Sequence, residues 1–213
     1  MRISTSAAVL LTGALALSLS GCMGAGDSVP PEPQWTPLPS VDPSVTPSSG
    51  PAEEPDASDP DEWAVSGAGV GPIEIGGDFA ATLDELADWS SPEQCEWTAT
   101  WSAEGEYMIF FAHPDDGGRQ PIDVISISAM PDAARTGAGP RTADDLGIGS
   151  TRDEVLAAHP EAVEGDAAIG DGSSWLAVED GDGRIFFEYA ADADAADAVT
   201  VTDGDEPPYE VCA

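Results

Sequence analysis

Leu146-Gly147-Ile148-Gly149-Ser150-Thr151-Arg152-Asp153-Glu154-Val155 reads as a loop turning into a helix, and it has an echo upstream. The echo is Gly71-Pro72-Ile73-Glu74-Ile75-Gly76 followed by Thr82-Leu83-Asp84-Glu85-Leu86. Both copies place Ile-Gly ahead of Thr-x-Asp-Glu-apolar, with residues 77–81 inserted in the first. Thr-x-x-Glu is a capping box: the hydroxyl accepts from the third amide of the helix and the carboxylate reaches back. The acidic pair also suits the positive end of the helix dipole. Short helices are therefore expected over about 83–90 and 152–159. Ser90-Ser91-Pro92 ends the first and His159-Pro160 the second, because proline removes a donor and restricts the residue before it.

The segments after each helix read as strands: 95–101, 107–112 and 122–130, then 175–179, 184–189 and 198–202. Cys95, Trp97, Ala99 and Trp101 alternate with Glu96, Thr98 and Thr100, the period of a half-buried strand. Asp180-Gly181-Asp182-Gly183 sits between two of these runs as a hairpin turn. The expected class is α+β: two helix-plus-three-strand repeats, about 71–131 and 146–213, forming an antiparallel sheet with short helices on one face.

The N-terminus has a different character. Arg2 precedes an apolar run over 7–19, too short to span a bilayer, for which about 20 apolar residues are needed. It ends in Leu19-Ser20-Gly21-Cys22, which resembles the lipobox of bacterial lipoproteins. That resemblance implies a signal peptide over 1–21 and a lipidated Cys22 as the first mature residue, with acyl chains holding the chain to the outer face of the cell membrane. Residues 23–62 contain ten Pro, nine acidic residues and no basic one, too little apolar surface to offset chain entropy. A disordered, extended tether is expected over 22–62, either a spacer of required length or a linker without one. The folded domain would then run from 63 to 213.

Three cysteines divide as one plus two. With Cys22 acylated, Cys95 and Cys212 remain in a compartment that permits oxidation, and they are expected to pair. The bond would tie the first strand of repeat one to a C-terminal strand over 209–212.

The chain of 213 residues has 41 acidic and 6 basic residues, a formal net charge of −35, with no Lys and no Asn. A field of this sign repels phosphate backbones and argues against nucleic-acid partners. Without lysine there is no P-loop and no Schiff base. Gly67-Ala68-Gly69-Val70-Gly71 precedes a strand instead of coming after one and has no basic neighbour, so it is not a nucleotide loop. The acidity serves either to keep the domain off anionic surfaces or to reflect a proteome rich in Asp and poor in Lys.

No Gly-x-Ser-x-Gly occurs, and His113 and His159 both precede proline without a nucleophile beside them. With 32 acids in the domain, chance carboxylate pairs are certain and carry no signal for a glycosidase. Calcium is the better metal candidate, at Asp180/Asp182, Asp192/Asp194/Asp197 or Asp203/Asp205/Glu206. None of these matches the twelve-residue calcium loop, since Ile185 stands where its glycine belongs, and no metal site or cofactor is assigned. Trp97, Trp101 and Trp175 are candidate binding aromatics, with core packing as the alternative for each.

The doubled Ile-Gly-(small)-Thr-x-Asp-Glu start, each with a meander after it, resembles a class of actinobacterial cell-envelope lipoproteins of unknown function. More distantly it is similar to the tandem-repeat fold of β-lactamase inhibitory protein and to the small lipoproteins of outer-membrane assembly. These relatives imply binding rather than catalysis, and no binding motif aligns to carry a residue across. The expectation is a membrane-anchored, extracytoplasmic, non-enzymatic module for a protein partner with a basic surface or for a small ligand. A carboxylate-dependent, calcium-assisted envelope hydrolase and a structural or assembly lipoprotein are the alternatives.

Overall fold

The structure is a computed structural model that describes residues 59–93, 95–103, 105–113, 121–131, 133, 137–209, 211 and 212. Lipidation at Cys22, the signal peptide and the tether up to 58 lie outside the described residues. Pro60–Glu62 form a 3-10 turn with Pro60 buried, and the Tyr107 phenol donates to Asp61 Oδ1 at 2.6 Å.

Two antiparallel sheets and two short helices make up the described residues. A small sheet has β1 (Val65–Ser66), β2 (Gly69–Val70) and β3 (Ile73–Glu74) in that order. Helix α1 (Phe79–Glu85) leads to β4 (Thr98–Ser102), β5 (Tyr107–Ala112) and β6 (Val124–Ala129). Helix α2 (Arg152–Ala158) leads to β7 (Val163–Asp166), β8 (Ser174–Asp180), β9 (Gly183–Tyr189) and β10 (Ala198–Thr202). These seven strands form one sheet in the order β4-β5-β6-β10-β9-β8-β7, every pair antiparallel. The last strand of the second meander thus pairs with the last strand of the first.

Directly paired residues share a sheet face. One face carries Ala99, Ile109, Phe111, Ile125, Ile127, Val199, Val201, Phe187 and Leu176, all buried. Phe79 of α1, Val155 of α2, Trp63 and the small sheet's Val65, Val70 and Ile73 complete this core. The β8–β9 hairpin docks on the small sheet by direct backbone contact. A Cβ on Gly183 would lie 2.1 Å from the Gly67 carbonyl oxygen, and the Gly67 N–H donates to Asp180 Oδ2 at 2.8 Å. The glycines of 67–71 therefore serve close packing and tight turns.

Several expectations are corrected. Helix α1 starts one turn earlier than 83: its cap is Asp78, whose Oδ1 accepts from the Ala81 N–H at 3.0 Å, and Thr82 lies inside it. Asp caps as well as Thr, and the earlier start buries Phe79 against Phe111, ring centroids 5.1 Å apart. Helix α2 has the expected capping box between Thr151 and Glu154. Residues 95–97 form a turn closed by the Thr98 N–H donating to the Cys95 carbonyl at 3.0 Å, so the first long strand begins at Thr98. No strand is formed at 209, 211 or 212; the disulfide ties Cys212 to Cys95 in the turn region before β4. The small sheet and β7 were not expected.

Candidate functional site

The face turned away from the core is built by the other half of each alternation. Its central row is Phe186, Thr200, Ser126, Phe110 and Thr100, paired in register across five strands. The neighbouring row is Trp175, Glu188, Ala198, Ser128 and Met108. After β10 the chain crosses over this face, and the Cys95–Cys212 disulfide fixes its end, with Cα atoms 5.7 Å apart. The two cysteines do pair as expected. The Trp97 indole N–H donates to the Val211 carbonyl at 2.6 Å, a second hold on the same strap.

Between strap and sheet lies a groove of about 390 Å³, within the range of small-ligand sites. Its floor is Thr98, Thr100, Met108, Phe110, Ser126, Ser128, Ala198 and Thr200; its walls are Pro92, Pro208, Tyr209, Val211 and Cys212. Among the described lining residues, Glu188 is the one carboxylate, and there is no basic side chain. Thr200 Oγ1 lies 2.6 Å from Glu188 Oε1 and 3.0 Å from Ser126 Oγ, which is 3.4 Å from Ser128 Oγ. The Tyr209 phenol hydrogen-bonds the same carboxyl.

Desolvation pushes the Glu188 pKa up, and the charge of Asp197 adds to this; the hydrogen bonds from Thr200 and Tyr209 pull the other way without cancelling it. Burial, then the adjacent Glu188 carboxyl, raises the Tyr209 phenol, which stays protonated. The site therefore offers one partly buried acid at the end of a hydroxyl row, facing methyl, thioether and ring carbons. A carboxylate has about four acceptor positions, and two hydroxyls fill only part of them.

The three tryptophans are not brought together. Trp97 holds the strap, and Trp101 lies on the core side of β4, 5.8 Å from Tyr107. Trp175 stands on the groove face beside Glu188, edge-on to Phe186 at 5.2 Å, but outside the groove lining. Its ring lies over Gly165: a Cβ there would meet Trp175 Cζ2 at 2.1 Å. Its indole nitrogen is buried without a hydrogen-bond partner among the described residues. Sequence reading missed Glu188, Tyr209 and the hydroxyl row. The available signal was Thr98/Thr100, Ser126/Ser128 and Thr200/Thr202, polar at alternate positions of three strands.

Two larger clefts are lined by charged loops. One, of about 730 Å³, borders α2, and its Arg141 is engaged by Asp145 at 2.6 Å. The other, of about 710 Å³, gathers Glu74, Asp180, Asp182 and Asp203. Among the described residues no group of three or more His, Cys, Asp or Glu is arranged to hold a metal. Asp205 pairs with Arg184 at 2.8 Å, and Asp197 accepts from the Ala190 N–H at 2.9 Å. His159 lies 3.3 Å from Asp144 and 3.6 Å from Glu161, and His113 packs edge-on to Phe79. No helix among the described residues is long and apolar enough to cross a membrane.

No protein-family model matches the chain, and no curated protein matches it. Among solved structures, the chain is similar to a DUF4309 family protein, YjgB, from Bacillus subtilis. The two are 12% identical with a TM-score of 0.43, over 62% of this chain and 83% of the other.

Proposed function

We propose that this chain is a lipid-anchored extracytoplasmic binding module whose ligand seat is the groove under the C-terminal strap. The observation that carries it is the pairing of an open, largely apolar groove with a single partly buried carboxyl, Glu188, among its described lining residues. The leader ending in Leu19-Ser20-Gly21-Cys22 supports export and acylation, and a disulfide between Cys95 and Cys212 fits an oxidising compartment. The acidic, proline-rich segment ahead of the domain then acts as the tether. The two α-then-meander halves are read as a duplicated unit, in keeping with the resemblance to envelope lipoproteins.

Two experiments test this. Fractionation of the native chain against Cys22→Ala is expected to move the protein from membrane to soluble fraction; equal membrane retention overturns the anchor. The neutral dye N-phenyl-1-naphthylamine is expected to fluoresce on binding the full-length chain. Ser128→Trp, which fills the groove floor, is expected to abolish that signal while leaving the circular dichroism spectrum intact. Undiminished fluorescence in a folded Ser128→Trp protein removes the groove as the seat.

A further inference from the structure

We propose that the groove takes a small ligand with one primary ammonium group on an elongated apolar body, the ammonium at Glu188 and the body running toward Met108 and Phe110. This rests on the groove being the binding seat and adds the chemistry of what it binds.

Three features argue for this class. The first is charge. Glu188 is the one charged group among the described residues lining the groove, and the chain around it carries a formal −35. An anion would enter without a counter-charge, since Arg184, on the same face at the far end of β9, is engaged by Glu179 and Asp205 at 2.7 and 2.8 Å. The second is hydrogen bonding. A desolvated carboxylate with acceptor positions still open gains most from a donor that also brings charge, and an ammonium supplies three N–H groups. A lone carboxyl with neutral hydroxyls falls short of the six to eight oxygens that calcium takes. The third is shape. Glu188, Ala198, Ser128 and Met108 are successive partners across four strands. Three strand spacings of about 4.8 Å make a track of about 14 Å from the acid to the thioether. The far half of that track is Met108, Phe110 and Val211, apolar side chains with no charge to meet.

The test is methyl NMR on the full-length chain in detergent, labelled with ¹³C at the methionine methyls. Met108 lines the groove, Met130 does not and serves as internal control, and Met108→Leu assigns the signal. The probes are 4-phenylbutylamine, its neutral counterpart 4-phenyl-1-butanol and the anion 5-phenylpentanoate. The amine is expected to shift the Met108 methyl saturably, the alcohol to bind at least about tenfold more weakly, and the acid not to bind. Glu188→Gln is expected to weaken the amine by about tenfold to a hundredfold, the range for a hydrogen bond to a charged group, and to leave the alcohol within about twofold. Retained alcohol binding also shows that the variant is folded, and the three-probe comparison needs no variant at all. Equal affinity for amine and alcohol, or an amine affinity unmoved by Glu188→Gln, overturns the ammonium seat and leaves the groove standing. If none of the three probes moves the Met108 methyl, the groove itself is overturned as the binding seat.

Discussion

Trp97 donates its indole N–H to the backbone carbonyl of Val211, 114 residues later, across 2.6 Å. The contact joins the turn before β4 to the last turn of the chain, where the Cys95–Cys212 disulfide makes the same connection covalently. Strand β10 ends at Thr202, and the described residues beyond it join no strand ladder. These two fastenings hold the groove's outer wall, together with the hydrogen bond from Tyr209 to Glu188.

Replacing both cysteines by serine is expected to destabilise the fold by about 2–5 kcal/mol, since the closed loop spans most of the domain. Chemical denaturation of the oxidised chain against the double variant measures it. Trp97→Phe keeps the ring and removes the donor, leaving a partly buried carbonyl unpaired, for about 1–2 kcal/mol. The two effects are expected to fall short of additive, because both act on the same strap.

Trp175 lies flat against Gly165, and that contact is specific to glycine. A Cβ at 165 would sit 2.1 Å from the indole, closer than carbon atoms can approach. Gly165→Val is expected to displace the ring from Phe186 and cost about 1–3 kcal/mol as an overpacked contact. The readout is a melting curve together with the near-ultraviolet circular dichroism of the tryptophans. An unchanged near-ultraviolet spectrum would show that the edge strand moves instead of the ring.

The cap correction has its own test. Thr151 accepts from the Glu154 amide and Glu154 returns the bond, whereas Thr82 sits within α1 and Asp78 caps it. Thr151→Ala and Asp78→Ala are each expected to cost about 1 kcal/mol. Thr82→Ala is expected to stay within about 0.5 kcal/mol, as for a helix-interior substitution. A Thr82→Ala loss equal to that of Thr151→Ala would restore the symmetric reading of the two copies.

That asymmetry marks what a local pattern can and cannot carry. Tyr107–Ala112 and Ala198–Thr202 are legible to the residue, the first as a short continuous apolar run rich in aromatics and the second as an alternation of Val and Thr. The Asp180–Gly183 turn is legible from its Asp-Gly residues, which favour a tight hairpin turn, with Gly181 at φ 66°. Helix α1 is not, because two capping residues compete four positions apart and a tertiary contact, Phe79 on Phe111, decides between them. The groove is less legible still. Glu188 meets Thr200 through the β9–β10 pair, Thr200 meets Ser126 through the β10–β6 pair, and Tyr209 arrives on an irregular strap. The β10–β6 pairing joins strands about seventy residues apart, and no single stretch of sequence encodes it. Alternation assigned Trp101 and Trp175 each to a strand but could not say that they face opposite sides of the sheet.

Glu188 and Glu154 give opposite pH dependences. Burial raises the Glu188 pKa in the fold, so the folded chain holds that proton more tightly than the unfolded one. Its contribution to stability is present below the ordinary carboxylate range and is lost as pH rises through the raised value. Glu154 is held below its ordinary value by the Thr151 backbone and hydroxyl bonds. Its contribution is present above the ordinary range and is lost as pH falls through the lowered value. The whole-chain charge of −35 also favours lower pH through self-repulsion, so each variant must be read as a difference from wild type at high salt. For Glu188→Gln, wild-type stability relative to the variant is expected to decline from about pH 4 toward neutrality. For Glu154→Ala, it is expected to grow as pH rises from below the ordinary carboxylate range to the top of that range, and to stay level from there toward neutrality. Urea midpoints at half-unit pH steps measure both, and a flat Glu188→Gln difference would mean that this carboxyl is solvated in the groove.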